Sequence, residues 1–381
     1  MKYSIIGAGI GGLTTGLAFE KKGVDYQIFE RFSELNEVGA GIWLSPNALQ
    51  ILEYLGVLDE IKEKGNLIKR ITIGKPDLSP ISDSPQDAII EKFGYASIAI
   101  HRAELQKILL DKIPTGKIYL GKGFDSYKHL NNGRINVHFG DGSATETEYL
   151  IGADGINSKV RKQLFPNSQL RYSGQTCWRG VAHIELDKSF DHRVYELWGN
   201  QIRFGFSRIS KGKFYWFAVV LDNPNQKDRK GEIQQKLLTM FSDFHSVVKE
   251  LIQATPEDKI IRNDINDLKT LSKWYKNNTC LIGDAGHATT PNMGQGGAQA
   301  IEDAYYLSHL HQGVTHQNSF ESFQKKRQPK VNSIVKQSWV TGKMAHWKYG
   351  TGLRNQLLKN VPKKIVLKKM IEMYEIEKFT G

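Results

Sequence analysis

The hydrophobic pattern of the first thirty residues predicts a strand, a helix and a second strand. An apolar run at residues 3–6 has the length of a short buried strand, and residues 13–21 have a helical pattern that ends at Gly23. A second apolar run at residues 26–29 stops at Glu30. Because a helix separates two short apolar runs, the pattern favours a β–α–β unit of an α/β fold.

Residues 281–304 contain another strand-to-helix pattern. A buried strand is expected to end at residues 279–282, Gly283 and Asp284 follow, and after a loop a helix is expected to begin near Gly296. The first turn of that helix has small residues, so its free backbone N–H groups and positive dipole end can approach a ligand closely. An anion or an electron-rich ring edge suits this position. The alternative is an ordinary strand, an Asp cap and a helix.

The stretch from residue 169 to residue 220 predicts a β-sheet that is rich in aromatic side chains. Such a sheet can form a floor for a flat apolar substrate, and the alternative is an ordinary aromatic core between sheet and helices. Strands and turns are also predicted for 69–100 and 117–150, helices for 227–258, and two or three helices after residue 319. The aromatic residues of the sheet are Trp178, Trp198, Phe204, Phe206, Tyr215, Trp216 and Phe217.

The loop between the first strand and the first helix contains the motif Gly7-x-Gly9-x-x-Gly12. In such a motif the first glycine allows a tight turn, the second lets a pyrophosphate approach the backbone, and the third lets helix and strand pack closely. Glu30 ends the next strand, where a carboxylate can hold the hydroxyl pair of a ribose. The segment therefore predicts a bound dinucleotide with an unphosphorylated adenosine ribose.

Length and charge narrow the class of protein. The chain has 381 residues, enough for two packed domains, and a formal net charge of +12. Nine Lys or Arg stand against three Glu between residues 343 and 381. No nucleic-acid recognition motif accompanies this charge, so a solvated basic helix face is expected. The amphipathic segment 363–374 is expected to cap the core rather than to contact an anionic membrane surface.

The cysteines indicate a reducing compartment. Cys177 and Cys280 lie in apolar segments far apart in the sequence and belong to no metal-type cluster. We therefore expect reduced structural thiols in a cytoplasmic protein, and no metal site.

Four separated motifs resemble those of FAD-dependent monooxygenases of the aromatic hydroxylase family. This family is para-hydroxybenzoate hydroxylase-like and includes salicylate and urate hydroxylases and zeaxanthin epoxidase. The motifs are the glycine loop, His-Arg-x-x-Leu at residues 101–105, Asp-Gly at 154–155 and the Gly283-Asp284 segment. The resemblance covers nearly the whole chain.

The resemblance implies where FAD binds. The glycine loop would hold the ADP half, Arg102 the ribityl and phosphate region, and Asp284 the ribityl hydroxyls. The segment 39–41 would run beside the flavin ring. Asp154 would have a mostly structural role, as a turn cap or as a partner of Arg161. The implied cofactor-binding residues are Gly7, Gly9, Gly12, Glu30, Arg31, Gly41, Arg102, Phe124, Asp284, Pro291, Gly294, Gln295, Gly296 and Gly297.

Three residues are candidates for catalysis. Family members that hydroxylate polar heteroaromatic compounds have an arginine and a tyrosine on the sheet that orient the substrate, and Arg203 and Tyr215 have a similar spacing. His287 is a candidate base, with a structural role as the alternative.

The resemblance also implies the domain organisation. A Rossmann-like FAD-binding domain would comprise residues 1–70, 98–168 and 273–325. An inserted mixed or antiparallel sheet domain would bind the substrate and comprise 71–97 and 169–272. Residues 326–381 would form C-terminal helices.

The implied reaction uses FAD, NADPH or NADH, and O2. The enzyme would hydroxylate or epoxidise a planar, electron-rich small molecule through a flavin C4a-hydroperoxide, with an aromatic, heteroaromatic or polyene compound as substrate. Only one dinucleotide motif is present, so the nicotinamide cofactor would be a transient co-substrate. Two alternatives stay open: a flavin-dependent reductase of an isoprenoid lipid, and a non-catalytic flavin-binding protein.

Overall fold

The computed structural model describes residues 2–35, 40–310 and 316–379. The first half of the described chain contains twelve strands and six helices. In chain order they are β1 (Lys2–Ile6), α1 (Ile10–Lys21), β2 (Asp25–Phe29), β3 (Gly41–Leu44), α2 (Pro46–Tyr54), α3 (Leu58–Lys64), β4 (Asn66–Ile68), β5 (Arg70–Gly74), β6 (Pro80–Pro85), α4 (Asp87–Phe93), β7 (Ser97–His101), α5 (Arg102–Asp111), β8 (Ile118–Tyr119), β9 (Phe124–His129), β10 (Ile135–Phe139), β11 (Ala144–Thr147), β12 (Tyr149–Gly152) and α6 (Lys159–Leu164).

The second half of the described chain contains seven strands and seven helices. They are β13 (Leu170–His183), β14 (Arg193–Trp198), β15 (Ile202–Ser210), β16 (Lys213–Leu221), α7 (Ile233–Met240), α8 (Ser246–Gln253), β17 (Ile261–Leu268), β18 (Tyr275–Lys276), β19 (Thr279–Leu281), α9 (Asp284–His287), α10 (Gly296–Leu310), α11 (His316–Ala345), α12 (Thr351–Lys359) and α13 (Lys363–Tyr374). A 3-10 turn, Pro291–Met293, lies between α9 and α10.

Six of the described strands form the sheet that the N-terminal pattern predicts. Their order is β18-β19-β12-β1-β2-β8, and β1 is parallel to both β2 and β12. Helices α1 and α10 pack closely because Gly11 has no side chain: a Cβ there would lie 3.3 Å from the Cβ of Ala300. The short sheet β11-β10-β9 packs apolar side chains against β1, β2 and β12. The predicted Rossmann-like α/β fold is thus confirmed.

Seven of the described strands form a second, mostly antiparallel sheet with the order β17-β13-β16-β15-β14-β5-β6. Strands β5 and β6 enter it from the N-terminal third of the chain, and β5 pairs with β14 in parallel. We propose the domain division given above, with residues 71–97 and 169–272 around this sheet, and the strand pairing supports it.

The aromatic side chains of this sheet lie on both of its faces. Four of the aromatic residues predicted to form the substrate floor pack in a core with α7 and α8. Tyr215 and Phe217 lie on the opposite face, which packs against Trp43 of β3. Most of the expected substrate floor is therefore ordinary core, because side chains alternate between faces along each strand. The core rings are Trp178, Phe204, Phe206 and Trp216.

Helix α4 is an element that the sequence pattern did not indicate, since strands and turns were expected throughout residues 69–100. It has seven residues, Gln86 precedes it and Gly94 ends it with a φ of 79°. A helix of two turns is too short to show a clear 3.6-residue period.

The C-terminal region forms α11, α12 and α13, as expected for two or three helices. The ring of Tyr374 packs against Phe93 of α4, but Tyr374 is the one buried residue among those described in α13. Of the helices in the described ranges, none combines the length and apolarity needed to cross a bilayer.

Candidate functional site

The three glycines of the first loop face different surroundings. Gly7 has a φ of 107°, and a Cβ on it would lie 2.6 Å from the carbonyl oxygen of Ala153. A Cβ on Gly12 would overlap the carbonyl oxygen of Gly7, whereas a Cβ on Gly9 would meet nothing within 4 Å. The outer two glycines are therefore required for packing, and Gly9 faces open space where a pyrophosphate can approach the backbone.

Glu30 is held beside this loop. Its side chain is 7% exposed, its Oε2 accepts a hydrogen bond of 2.8 Å from the N–H of Ala8, and its Oε1 accepts one of 3.2 Å from Phe32. The carboxylate is thus placed at the carboxyl end of β2, where a ribose is bound in such folds.

The neighbouring adenosine candidates differ in exposure. Arg31 is exposed and its guanidinium lies 4.6 Å from the centre of the Phe32 ring. The side chain of Phe124 is buried in the core under β9, so only its backbone is available to a ligand.

The start of α5 connects the glycine loop to the segment before β3. The Nε2 of Gln106 donates to the carbonyl of Ala8 at 2.7 Å, and the N–H of Arg102 donates to the carbonyl of Ala40 at 3.0 Å. The exposed guanidinium of Arg102 forms no hydrogen bond or ion pair with the described residues. Its donor groups are therefore available to a phosphate.

Asp284 begins α9 and lies beside the first residue of α10. It is exposed although residues 281–283 and 285–288 are buried, and its Oδ1 is 3.9 Å from the position of a Cβ on Gly296. Asp154 accepts hydrogen bonds from the N–H groups of Lys159 (2.7 Å) and Val160 (3.2 Å) and so caps α6. Of the two roles considered for Asp154, the structure shows the cap.

Arg161 makes a different connection from the one considered in the sequence. Its guanidinium donates to the carbonyl oxygens of Ala285 (3.1 Å) and Ile156 (2.6 Å). It therefore joins the Asp-Gly turn to the segment that follows Gly283.

The loop before α10 packs against β3. A Cβ on Gly297 would lie 2.8 Å from the Cδ1 of Ile42, and one on Gly294 would lie 3.8 Å from the ring of Trp43. Pro291, which begins the 3-10 turn of this loop, is exposed. Gly39, implied beside the flavin ring, lies outside the described residues, whereas Gly41 begins β3.

Gln295 belongs to a buried polar network behind this loop. Its Nε2 donates to the hydroxyl of Ser45 at 2.9 Å, and its Oε1 accepts from Asn47 at 3.1 Å. Asn47 also donates to Glu302 at 2.6 Å, and Arg327 pairs with the same carboxylate. The side chain of Gln295 is thus fixed behind the loop, which leaves its backbone for a ligand.

His287 joins the same network rather than the open side of the cleft. Its Nε2 is 2.6 Å from the Oδ2 of Asp303, which also accepts the N–H of Gly283 at 2.8 Å. The Nε of Arg327 donates to the other oxygen of Asp303 at 2.9 Å. Burial alone would raise the pKa of Asp303, but the charges of His287 and Arg327 outweigh it and lower that pKa.

Tyr215 lies where the second sheet meets β3. A Cβ on Gly41 would overlap its ring, and the rings of Trp43 and Phe217 are 6.4 Å and 6.0 Å away, centre to centre. Burial raises the pKa of Tyr215, although the nearby charge of Arg179 opposes this. The phenol therefore stays protonated and can donate a hydrogen bond.

Arg203 connects the sheet to the loop before α10. Its side chain is 2% exposed, one terminal nitrogen donates to Glu196 at 2.9 Å, and the other donates to the side-chain oxygen of Asn292. Asn292 belongs to the 3-10 turn that begins at Pro291. The sequence-based prediction did not include Asn292. Its position between Pro291 and Gly294, two predicted cofactor-binding residues, could have indicated it.

Together these residues form a site whose chemistry fits FAD. Glu30 and Gly9 suit the ADP half, and Arg102 and Asp284 follow in the direction of β3. The N-terminus of α10 adds N–H groups and a positive dipole end beside the open loop. The decisive observation is that a Cβ on Gly9 would meet no atom, whereas a Cβ on Gly7 or Gly12 would collide with the backbone.

The comparisons with known proteins identify the class. The family model of the FAD binding domain matches residues 1–338. The chain therefore belongs to this family, and it is an FAD-dependent monooxygenase. The expected family, cofactor and enzyme class are confirmed.

Individual relatives match over nearly the full chain. The aurachin C monooxygenase/isomerase of Stigmatella aurantiaca is 35% identical over 358 residues, which are 93% of both chains. The 2-heptyl-3-hydroxy-4(1H)-quinolone synthase of Pseudomonas aeruginosa is 33% identical over 368 residues, 95% of this chain and 94% of that one. The crystal structure of Klebsiella pneumoniae HpxO complexed with FAD and uric acid aligns with a TM-score of 0.90, 27% identity and coverage of 98% and 96%.

Proposed function

We propose that this monooxygenase hydroxylates or epoxidises a planar, electron-rich heteroaromatic compound, with O2 and with NADPH or NADH as reductant. The observation that carries the proposal is the contact of Tyr215 with Gly41. Strand β3 lies against Gly297 and Gly294 of the loop before α10 through Ile42 and Trp43, and Trp43 also packs against the second sheet. A flat substrate held at this junction would lie beside the flavin ring.

The compounds named with two of the relatives support a heteroaromatic ring over a polyene. Quinolone and uric acid, which appear in the names of two of them, are fused nitrogen heterocycles. Their rings match in shape a junction lined by Trp43, Tyr215 and Phe217. These similarities also favour a monooxygenase over the isoprenoid reductase and the non-catalytic flavin protein.

The residues of the chain have distinct roles in this proposal. Glu30 binds the adenosine ribose, Arg102 binds phosphate, and Asp284 binds the ribityl hydroxyls. Bound FAD supplies the electron transfer and the activation of oxygen. The N-terminal turn of α10 would favour negative charge on a ring bound beside it through its N–H groups and dipole.

The substrate side is positioned by two polar residues. Tyr215, protonated, donates a hydrogen bond to a polar atom of the substrate. Arg203 acts through Asn292: its ion pair with Glu196 keeps the guanidinium in place, so the loop from Pro291 to Gly294 holds a fixed position. His287, whose Nε2 is used by Asp303, fixes the Gly283 turn and is not assigned the role of base.

The test is substrate-dependent turnover of the FAD-loaded enzyme. A panel of alkylquinolones, purines, phenols and carotenoids is added with NADH or NADPH, and flavin reduction and reductant consumption are followed. The true substrate should accelerate flavin reduction at least about tenfold and yield a product with one oxygen atom from labelled O2.

Two variants test the role of Tyr215 in this assay. Tyr215→Phe should lower turnover of the polar heterocycle while leaving FAD bound, and Tyr195→Phe, which lies in the core on the other face of the sheet, should not. Product formation without O2, or a panel in which no planar compound alters flavin reduction, would count against the proposal.

A further inference from the structure

Exposed apolar side chains are concentrated in one short stretch after α11. The described residues include fourteen exposed large apolar side chains, and six of them lie between residues 347 and 365. Tyr349 is 79% exposed and Leu353 is 63% exposed, values far above those of core residues. Such a concentration marks an interaction surface. The six are Trp347, Tyr349, Leu353, Leu357, Val361 and Ile365.

The same stretch carries only positive charge. No Asp or Glu occurs between Glu321 and Glu372. Six lysines accompany the exposed apolar residues, and all of them are exposed. They are Lys348, Lys359, Lys363, Lys364, Lys368 and Lys369.

Helix α12 is fixed to the body of the protein by one face and presents another. Arg354 is 1% exposed and donates to the carbonyl of Ala345 at 2.9 Å, and Leu358 packs beside Trp198. Leu353 and Leu357 are four residues apart, so they form a ridge on an adjacent, outward face. The helix therefore keeps its apolar ridge exposed while it is anchored.

We propose that the surface of residues 347–369 docks on an anionic phospholipid bilayer. Trp and Tyr prefer the boundary between headgroups and acyl chains, leucine side chains insert below it, and lysines attract the anionic lipid headgroups. A second copy of the chain fits poorly, because two surfaces without a single carboxylate between residues 322 and 371 would repel each other.

The helix that leads into this surface contacts the loop before α10. Near the end of α11, a Cβ on Gly342 would collide with the side chain of Asn292, and the hydroxyl of Thr341 lies 3.8 Å from the sulfur of Met293. Both partners belong to the loop before α10. Docking through residues 347–369 would therefore bring the loop side of the cleft near the bilayer, from which an apolar substrate could enter.

The experiment is sedimentation of the FAD-loaded protein with vesicles. One set is phosphatidylcholine, and in the other phosphatidylglycerol replaces part of it. We expect binding to the anionic vesicles, weakened by added salt. The double variants Leu353→Ser/Leu357→Ser and Lys363→Glu/Lys368→Glu should each weaken it at least about tenfold.

Matched variants elsewhere on the surface distinguish docking through residues 347–369 from nonspecific adsorption to vesicles. Leu67→Ser/Leu120→Ser and Lys211→Glu/Lys249→Glu also change exposed residues, and both should bind vesicles as the unaltered protein does. The proposal is overturned by equal binding to both vesicle types, by no binding at all, or by a dimer that Leu353→Ser/Leu357→Ser dissociates. Each readout is independent of turnover, so failure of the proposed reaction would leave this result standing.

Discussion

Gly9 and Gly12 belong to one loop, but glycine is required at the two positions for different reasons. A Cβ on Gly12 has no room, whereas one on Gly9 would project into open space. The φ of Gly9 is −74°, which any residue adopts. Its requirement for glycine therefore arises from the ligand and not from the fold.

We predict that Gly9→Ala weakens FAD binding at least about tenfold and changes the free energy of unfolding of the flavin-free protein by less than about 0.5 kcal/mol. Flavin titration and urea unfolding measure the two quantities. Gly352→Ala, which also adds a Cβ in open space, is the control and should leave FAD binding unaltered. Equal stability loss with and without FAD would show that Gly9 serves the fold.

Arg203→Met should lower both stability and turnover. Loss of the guanidinium leaves Glu196 partly buried without its partner, at a cost of about 2 kcal/mol, and releases Asn292, so kcat should fall about tenfold. Arg208→Met removes another paired arginine, on the opposite face of β15, and should reduce stability alone.

The double variant Arg203→Met/Glu196→Gln tests the reasoning. It removes the unpaired charge, so stability should recover while kcat stays low. Recovery of both would mean that Arg203 influences turnover only through the ion pair.

At this scale, the sequence predicts contacts that are local or required by the backbone. The glycine spacing and Glu30 are recognisable because the phosphate loop needs them at fixed intervals. The bond from Arg203 to Asn292 joins residues 89 positions apart, and no local pattern encodes such a pair. No local pattern predicted the hydrogen bond between His287 and Asp303 either, and His287 was therefore a candidate base.

At the scale of elements, α10 is held by charges that are fully buried. The side chains of Glu302 and Asp303 are 0% exposed, and Arg327 of α11 pairs with both. Buried charges are costly unless each is paired, so the network fixes α11 against α10 in one arrangement. The start of α10 therefore stays in place beside the cleft.

We predict that Asp303→Asn lowers the free energy of unfolding by about 3 kcal/mol, because Arg327 then keeps an incompletely compensated charge and Gly283 has a weaker acceptor. Urea unfolding measures this loss. Asp243→Asn changes an exposed carboxylate and should have little effect. A loss of under about 1 kcal/mol would mean that the network tolerates a neutral member.

The arrangement of elements was predicted better than the orientation of side chains. Strand and helix order follow from periodicity, and the second sheet was expected from its ring-bearing strands. The face on which each aromatic ring lies depends on the strand register. Val181 opposes Tyr215 in the pair β13–β16, and a shift of one residue would move every side chain of the strand to the other face of the sheet. That register is set by packing against α7, α8 and β3, which no short window of sequence contains.

At the scale of the whole molecule, α11 reaches from the FAD-binding sheet to the second sheet. His346, just beyond its last residue, is 4% exposed and its Nε2 lies 3.5 Å from the carbonyl oxygen of Val219 in β16. Burial and the charge of Arg203 lower the pKa of His346 from 6.5 to about 4. The histidine is therefore neutral at neutral pH.

This pKa predicts how stability depends on pH. As the pH falls from 6.5 to 4, the unfolded chain binds a proton that the native histidine does not, so stability is full above that range and decreases through it. The loss from this residue approaches about 3 kcal/mol below the lower pKa. Urea unfolding between pH 7 and pH 4 measures the slope.

Two variants test the assignment to His346. His346→Gln should flatten the dependence in that window, and His129→Gln, at an exposed site, should leave it unchanged. An unaltered slope in His346→Gln would place the effect in other groups.

The strand order of the first sheet has a consequence for biosynthesis. On one side Tyr3 pairs with Tyr149, and Ile151 in turn pairs with Cys280, so that side of the first strand waits for partners made much later. Proteins generally begin to fold while they emerge from the ribosome, and pairing between distant segments is slow. The nascent chain therefore carries an open edge until residue 281 has left the exit tunnel. Ribosome-associated chaperones should bind it throughout that interval, and chains released earlier should aggregate.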